Sequence, residues 1–86
     1  MLQLKKIQSK GAIMKRVEIN YIFLKDKIKR QFGKNSEFAK QLGISNQELS
    51  NKLNNKSSFT QEQIIACKQI LCLSEAETYN CFFIPR

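Results

Sequence analysis

The 86-residue chain contains no histidine and no tryptophan, only one proline and three glycines, and only seven acidic residues. Without histidine it lacks the commonest general acid or base and the commonest nitrogen ligand of metal ions. It also has no glycine-rich phosphate loop and no serine or cysteine beside a candidate base. We therefore expect neither an enzyme nor a bound cofactor.

Cysteine is scarce as well, the three being Cys67, Cys72 and Cys81. No two of them have Cys-x-x-Cys spacing and no histidine can complete the set, so we predict no metal site. An odd, unclustered set with no sign of a secretory leader is typical of a reducing cytoplasm, where cysteine behaves as a small hydrophobe. All three are predicted to pack in or near the core.

Long apolar runs are also missing. None approaches the roughly 18 residues that a membrane span requires, and lysines interrupt the apolar residues of the N-terminus every few positions. We expect a cytoplasmic protein without a membrane segment.

What the chain does have is material for one small core and a large excess of positive charge. Hydrophobic residues make up 42% of it, which at this length allows one domain and no more. Fifteen basic residues against seven acidic ones give a net charge of +8, which points to an acidic polymer or surface as partner. The excess lies before Asn35, because residues 1–34 contain ten basic and two acidic residues.

The N-terminal residues 1–18 show no clean period, and Gly11 interrupts any helix that begins before it. We interpret residues 1–18 as a mobile basic arm or leader in front of one domain at 19–86. The gene offers an alternative start, because the codons of residues 10–12 can spell a purine-rich ribosome-binding sequence shortly before Met14. Translation from Met14 would remove three lysines and leave a net charge of +5.

From residue 20 onward the apolar spacing predicts five short helices. In the first helix, four apolar residues recur at spacings of three, four and four on one face: Tyr21, Leu24, Ile28 and Phe32. Gly33 and Gly43 supply helix stops. Three later helix starts carry the capping-box pattern: Ser45 with Glu48, Thr60 with Gln63, and Ser74 with Glu77. The predicted class is all-α, with one short extended tail at residues 82–84 ahead of Pro85.

The segment 39–45, between the second and third helices, has the spacing of a helix-turn-helix. Ala39 lets two helices approach, Gly43 takes the turn, and Ile44 fills the angle between the helices. An ordinary helical hairpin inside a bundle is the alternative. The outward residues of the third helix are uncharged amides and a hydroxyl: Asn46, Gln47, Ser50, Asn51 and Asn54. Such groups can donate and accept hydrogen bonds at DNA base edges.

The sequence NSEFAKQLGISNQELSNKL at residues 35–53 resembles the helix-turn-helix of the Cro and lambda-type repressor superfamily, the xenobiotic-response-element class. The rest of residues 21–86 looks like small uncharacterised regulators from temperate phages and prophages. The resemblance implies a compact, five-helix, lambda-repressor-like DNA-binding domain over residues 19–86. It also implies a double-stranded DNA operator as partner, without separating repressor from activator.

Carried over by position, the resemblance gives the third helix, at about 46–54, the recognition role in the major groove. It implies four base-reading side chains: Asn46, Gln47, Ser50 and Asn51. It implies four contacts to the DNA backbone: Lys34, Asn35, Asn54 and Lys56. The charges of this helix, Glu48 and Lys52, cancel, so affinity has to come from other cations and discrimination from the amides.

This sequence departs from the superfamily pattern at the start of the second helix. Asn35 stands where many members have a glutamine, and Lys34 stands where many have a serine or threonine N-cap. The cap would then pass to Asn35 or Ser36. The lysines of the first helix either follow the DNA backbone or form an ordinary solvated face.

The aromatic C-terminus leaves two interpretations open. Phe82, Phe83 and Ile84 either form a homodimer seam or fold back onto the first and fifth helices. The leading function is a sequence-specific transcriptional regulator of the phage or prophage Cro-repressor type, acting in the cytoplasm of a bacterial host and bound there to nucleoid DNA. The alternative is a protein-interaction module, an antirepressor or modulator of repression, that binds a phage repressor protein.

Overall fold

The computed structural model describes residues 17–86, so the predicted arm at residues 1–16 and the start at Met14 lie outside the described residues. Residues 17–86 form five α-helices: α1 (Ile22–Phe32), α2 (Asn35–Leu42), α3 (Asn46–Leu53), α4 (Gln61–Ile70) and α5 (Glu75–Phe82). Within this range there is no strand, only an isolated antiparallel bridge between Ile19 and Pro85. The predicted all-α class with five helices is confirmed.

Local sequence signals set most helix ends. Thr60 and Ser74 cap α4 and α5 with complete capping boxes, since Gln63 and Glu77 each accept a hydrogen bond from the N-cap amide. The stop after α2 is Gly43, whose left-handed backbone (φ 82°, ψ 26°) is one that side chains with a Cβ rarely adopt.

Two of the predicted caps differ from expectation. Ser45 Oγ accepts a hydrogen bond from the Glu48 amide at 3.0 Å, but Glu48 does not return a bond to the serine amide, so this box is only half formed. The N-cap of α2 is Lys34 itself, in extended backbone and with no side-chain hydrogen bond. The cap therefore does not pass to Asn35 or Ser36, and the first amides of α2 have no capping side chain.

The core lies around α2, which packs against α1, α3 and α4, while α5 packs against α1. The largest fully buried side chains come from all five helices and the turn after α4: Leu24, Ile28, Phe38, Leu49, Cys67, Leu71 and Cys81. Ala39 is also buried and allows α3 to approach α2 closely. Together these contacts make a compact all-α domain.

An aromatic cluster decides the fate of the C-terminal phenylalanines. Phe82 is buried and makes edge-to-face contacts with Phe59, at 5.2 Å between ring centroids, and with Tyr21, at 6.5 Å. Phe82 therefore packs in the core, as the second of the two interpretations of the C-terminus expects for it, whereas Phe83 is half exposed. Among the cysteines, Cys72 is exposed in a turn, contrary to the prediction that all three pack in or near the core.

The predicted extended tail begins later than expected. Phe82 is the last residue of α5, and the extended pairing involves Ile84 and Pro85. The Asn20 amide donates to the Ile84 carbonyl at 2.8 Å, and Ile19 pairs with Pro85. The two ends of the described chain thus lie side by side.

Asn55 fixes the N-terminal side of this pairing to the end of α3. Its side chain accepts a hydrogen bond from the Ile19 amide at 2.8 Å and donates to the Ile19 carbonyl at 2.9 Å. Asn55 also adopts a positive φ of 64°, which asparagine tolerates better than most residues.

None of the helices within residues 17–86 has the length and apolarity to cross a membrane.

Candidate nucleic-acid interface

The segment that joins α2 to α3 is a three-residue turn at residues 43–45. The amides of Gly43 and Ile44 both donate to the Ala39 carbonyl, at 2.9 and 3.0 Å. Ile44 is half-buried against the core, and Leu49 of α3 is fully buried. Gly43 therefore takes the turn and Ile44 packs against the core, as the spacing of residues 39–45 predicts.

The outward face of α3 carries the four predicted base-reading residues in two rows along the helix, Gln47 with Asn51 and Asn46 with Ser50. Asn46 and Gln47 are exposed, and Ser50 and Asn51 are half-buried. Gln47 Nε2 donates to Asn51 Oδ1 at 3.0 Å, which holds these two amides together one turn apart. Asn54 Nδ2 lies 3.4 Å from Ser50 Oγ and continues the other row.

An open groove of about 520 Å³ runs between the start of α2, the start of α3 and one side of α1. We call it the lysine groove, and its lining residues are Lys25, Lys29, Gly33, Lys34, Asn35, Ser36, Asn46 and Ser50. It brings together two predicted backbone contacts and two predicted base-reading residues. It also includes Lys25 and Lys29, two of the lysines of the first helix that were expected either to follow the DNA backbone or to form a solvated face.

The electrostatics of the lysine groove favour an anion. Within residues 17–86, no carboxylate lies within salt-bridge distance of Lys25, Lys29 or Lys34. The N-terminus of α2 lies at the groove and has no side-chain cap, so the amides of its first turn add the positive end of a helix dipole. The first residue of α3, Asn46, borders the same space.

The two charged residues of α3 do not share its outward face. Lys52 is buried, its Nζ donates to the Ser58 carbonyl at 2.8 Å, and it lies 5.7 Å from the centroid of the Phe59 ring. Glu48 is exposed. The two charges still sum to zero, but only the carboxylate of Glu48 is exposed, and Lys52 instead holds the loop after α3.

The remaining backbone candidates lie beyond the lysine groove. Asn54 lines a second, smaller opening of about 220 Å³ together with Lys25 and Arg86. Lys56 is exposed in the loop after α3, where its amide donates to the Asn51 carbonyl at 2.8 Å, and it lines neither opening. Lys25 is thus the residue shared by both openings.

A second surface feature lies on the side of α1 and α5. We call it the apolar patch, and it consists of Ile22, Phe23, Tyr79, Phe83 and Ile84. Ile22 is 71% exposed, and Tyr79 and Phe83 stack with ring centroids 6.1 Å apart while about half of each is exposed. A cleft of about 370 Å³ separates Ile22 and Phe23 from Ile84. Clustered apolar exposure of this kind is typical of a contact surface.

The buried cysteines have no reactive character. Burial raises the pKa of Cys67 to about 12, with a smaller contribution from the nearby Cys81. Burial likewise raises the pKa of Cys81 to about 11. Both thiols therefore stay protonated and serve as packing groups, as predicted for them.

The fold and the lysine groove define a small all-α domain with a basic opening beside a polar helix face. The chain belongs to the family of proteins of unknown function DUF739, which matches residues 17–84. No curated protein matches the chain. The matched segment covers all five helices.

Proposed function

We propose that the protein is a sequence-specific, double-stranded DNA-binding transcriptional regulator of the Cro and lambda-type repressor kind. The observation that carries this proposal is the placement of the polar face of α3 beside the carboxylate-free lysine groove. Uncharged amides discriminate bases, and lysines supply attraction to phosphates without reading sequence. Both kinds of contact are needed for specific binding, and one side of this small domain offers both.

The dimensions of α3 suit the major groove of DNA. An α-helix with its side chains is about 10–12 Å across, and the major groove is about 12 Å wide. With α3 inserted, Gln47 and Asn51 would face base edges, and Asn46 and Ser50 would lie between the bases and the lysine groove. Lys34 and Asn35 would then contact the DNA backbone on one side of the major groove, and Asn54 and Lys56 would contact it beyond the end of α3. These four residues are the predicted backbone contacts.

Gln47→Ala tests base reading. We expect the variant to lose about 1–3 kcal/mol of binding free energy on a site obtained by in vitro selection, and nothing on random duplex. Fluorescence anisotropy with both duplexes measures the two affinities. Gln69→Ala is the matched control, because it removes the same exposed amide from α4 rather than α3.

Lys56→Ala in the same assay should weaken binding to both duplexes equally and lower the salt slope by about one unit.

An equal loss on random and selected DNA for Gln47→Ala would remove Gln47 from base reading. Failure of selection to enrich any sequence would refute specific DNA binding altogether.

The apolar patch supports a second candidate, a protein-interaction module that binds a phage repressor. Its exposed side chains, Ile22, Phe23, Tyr79 and Phe83, are available to a protein partner. The same patch could join two copies of the chain through Phe83 and Ile84, now without Phe82.

A gel shift on the promoter region of the protein's own gene, with and without the neighbouring repressor, separates the two functions. A shift by the protein alone supports direct DNA binding, and a change seen only with the repressor supports the interaction module. Either function would place the protein in the cytoplasm of a bacterial host, with DNA binding adding the nucleoid.

A further inference from the structure

The basic residues of α1 fall into two groups. Lys27 Nζ lies 2.8 Å from a Glu77 carboxylate oxygen, and Arg30 Nε lies 2.8 Å from Asp26. Lys25 and Lys29 form no such pair within residues 17–86, and both line the lysine groove. The cations of α1 that lack a carboxylate are therefore the ones that face the groove.

This arrangement works against the stability of the isolated domain. Lys25 and Lys29 are one helical turn apart, a spacing at which like charges repel each other. Lys34 at the start of α2 adds a third positive charge to the same opening. Three cations line one opening with no carboxylate paired to them, so their mutual repulsion would decrease if an external anion bound between them.

The other lining groups indicate what kind of anion fits. The uncapped amides of α2 and the hydroxyls of Ser36 and Ser50 are hydrogen-bond donors suited to phosphate oxygens. Asn46 and Ser50 connect the groove directly to the polar face of α3. An anion held here would lie next to whatever α3 reads.

We propose that Lys25, Lys29 and Lys34 form a clamp for a backbone phosphate of the same DNA duplex that α3 reads. The proposal rests on the DNA-binding function proposed above and names a site on α1 that adds to it. It also divides the face of α3. Asn46 and Ser50 lie next to the bound phosphate, and Gln47 and Asn51 remain as the pair that reads bases.

The test measures how binding depends on salt for Lys25→Ala, Lys29→Ala and the double variant. The probes are one selected duplex and one random duplex, followed by fluorescence anisotropy between about 50 and 200 mM salt. Because the clamp neutralises one phosphate, its loss should lower the slope of log K against log salt by up to about 0.9 in the double variant, and by less in each single variant. Over this fourfold salt range, the double variant should lose up to about 3.5-fold less affinity than the wild type.

Lys40→Ala is the matched control, because Lys40 is an exposed lysine of α2 that does not line the groove. It should leave the slope close to that of the wild type. Lys29→Arg, which keeps the charge, should also keep the slope, and circular dichroism should show unchanged helix content for all variants. The clamp predicts equal losses on the selected and the random duplex.

The clamp is overturned if the double variant has the same slope as Lys40→Ala. If Gln47→Ala still lowers preference for the selected duplex in that case, the clamp alone has failed and base reading by α3 stands. If the wild-type protein binds neither duplex, the proposed DNA-binding function has failed and the clamp with it.

Discussion

Truncation of Phe82 and of its neighbour Phe83 tests the arrangement of the C-terminus most directly. Phe82 is 4% exposed and packs edge-to-face against Phe59 and Tyr21, so its ring joins α5 to the loop before α4 and to the start of α1. Phe83 is 50% exposed and stacks on Tyr79 one turn earlier. The two substitutions remove the same atoms from opposite environments.

The expected losses differ severalfold. Truncating a buried phenylalanine to alanine costs about 3–5 kcal/mol, including the cavity that remains. A domain of this size has a free energy of unfolding of only about 4–10 kcal/mol, so Phe82→Ala removes much of it. Phe83→Ala loses part of one exposed ring contact and should cost less than about 1 kcal/mol.

Urea unfolding followed by circular dichroism measures both losses. With a slope of about 1 kcal/mol per molar urea, Phe82→Ala should lower the midpoint by about 3–5 M or prevent folding, and Phe83→Ala should shift it by less than about 1 M. Sedimentation of the wild type over a range of concentrations shows whether two copies contribute. Equal losses for the two variants would refute the assignment of Phe82 to the core and of Phe83 to the surface.

Two further predictions concern titratable groups. Lys27 donates a hydrogen bond to Glu77 and holds the pKa of that carboxyl below its ordinary value. The stability that this interaction contributes is complete above the ordinary pKa of a glutamate. It is lost as the pH falls through the lowered pKa of Glu77 in the folded protein. In thermal unfolding, Glu77→Gln should therefore be less stable than the wild type at neutral pH, and the two should become equally stable in acid. Iodoacetamide should alkylate the folded protein once, at exposed Cys72, and three times in urea, because Cys67 and Cys81 are buried in the folded protein. Intact mass spectrometry counts the adducts. A second adduct on the folded protein would contradict the burial of Cys67 and Cys81.

Much of the fold could be predicted because its signals are local. The capping boxes of Thr60 and Ser74 and the stop at Gly43 each depend on residues within one or two helical turns. The same rule was only half right at Ser45, where Glu48 stays in solvent. A capping box needs a side-chain rotamer as well as a spacing, and the sequence fixes only the spacing.

The candidate site could be predicted on α3 but not on α1. Helical spacing alone brings the amides of Gln47 and Asn51 to one face, one turn apart. Lys25 and Lys29 carry no such signal, because a solvated helix face shows the same pattern of lysines. Their place in the lysine groove depends on α2 and α3 beginning beside them, which is a matter of helix packing.

By itself, the sequence determined five helices, their apolar faces and the polar surface of α3, because spacing and helix caps act between residues a few positions apart. Only the tertiary structure decided which cations are paired, buried or available. Lys27 meets Glu77 from 50 residues away, and Lys52 turns inward to Ser58. Lys25, Lys29 and Lys34 share one groove without a carboxylate. A net charge is a sum over the sequence, whereas a binding surface depends on which charges remain unneutralised where helices meet.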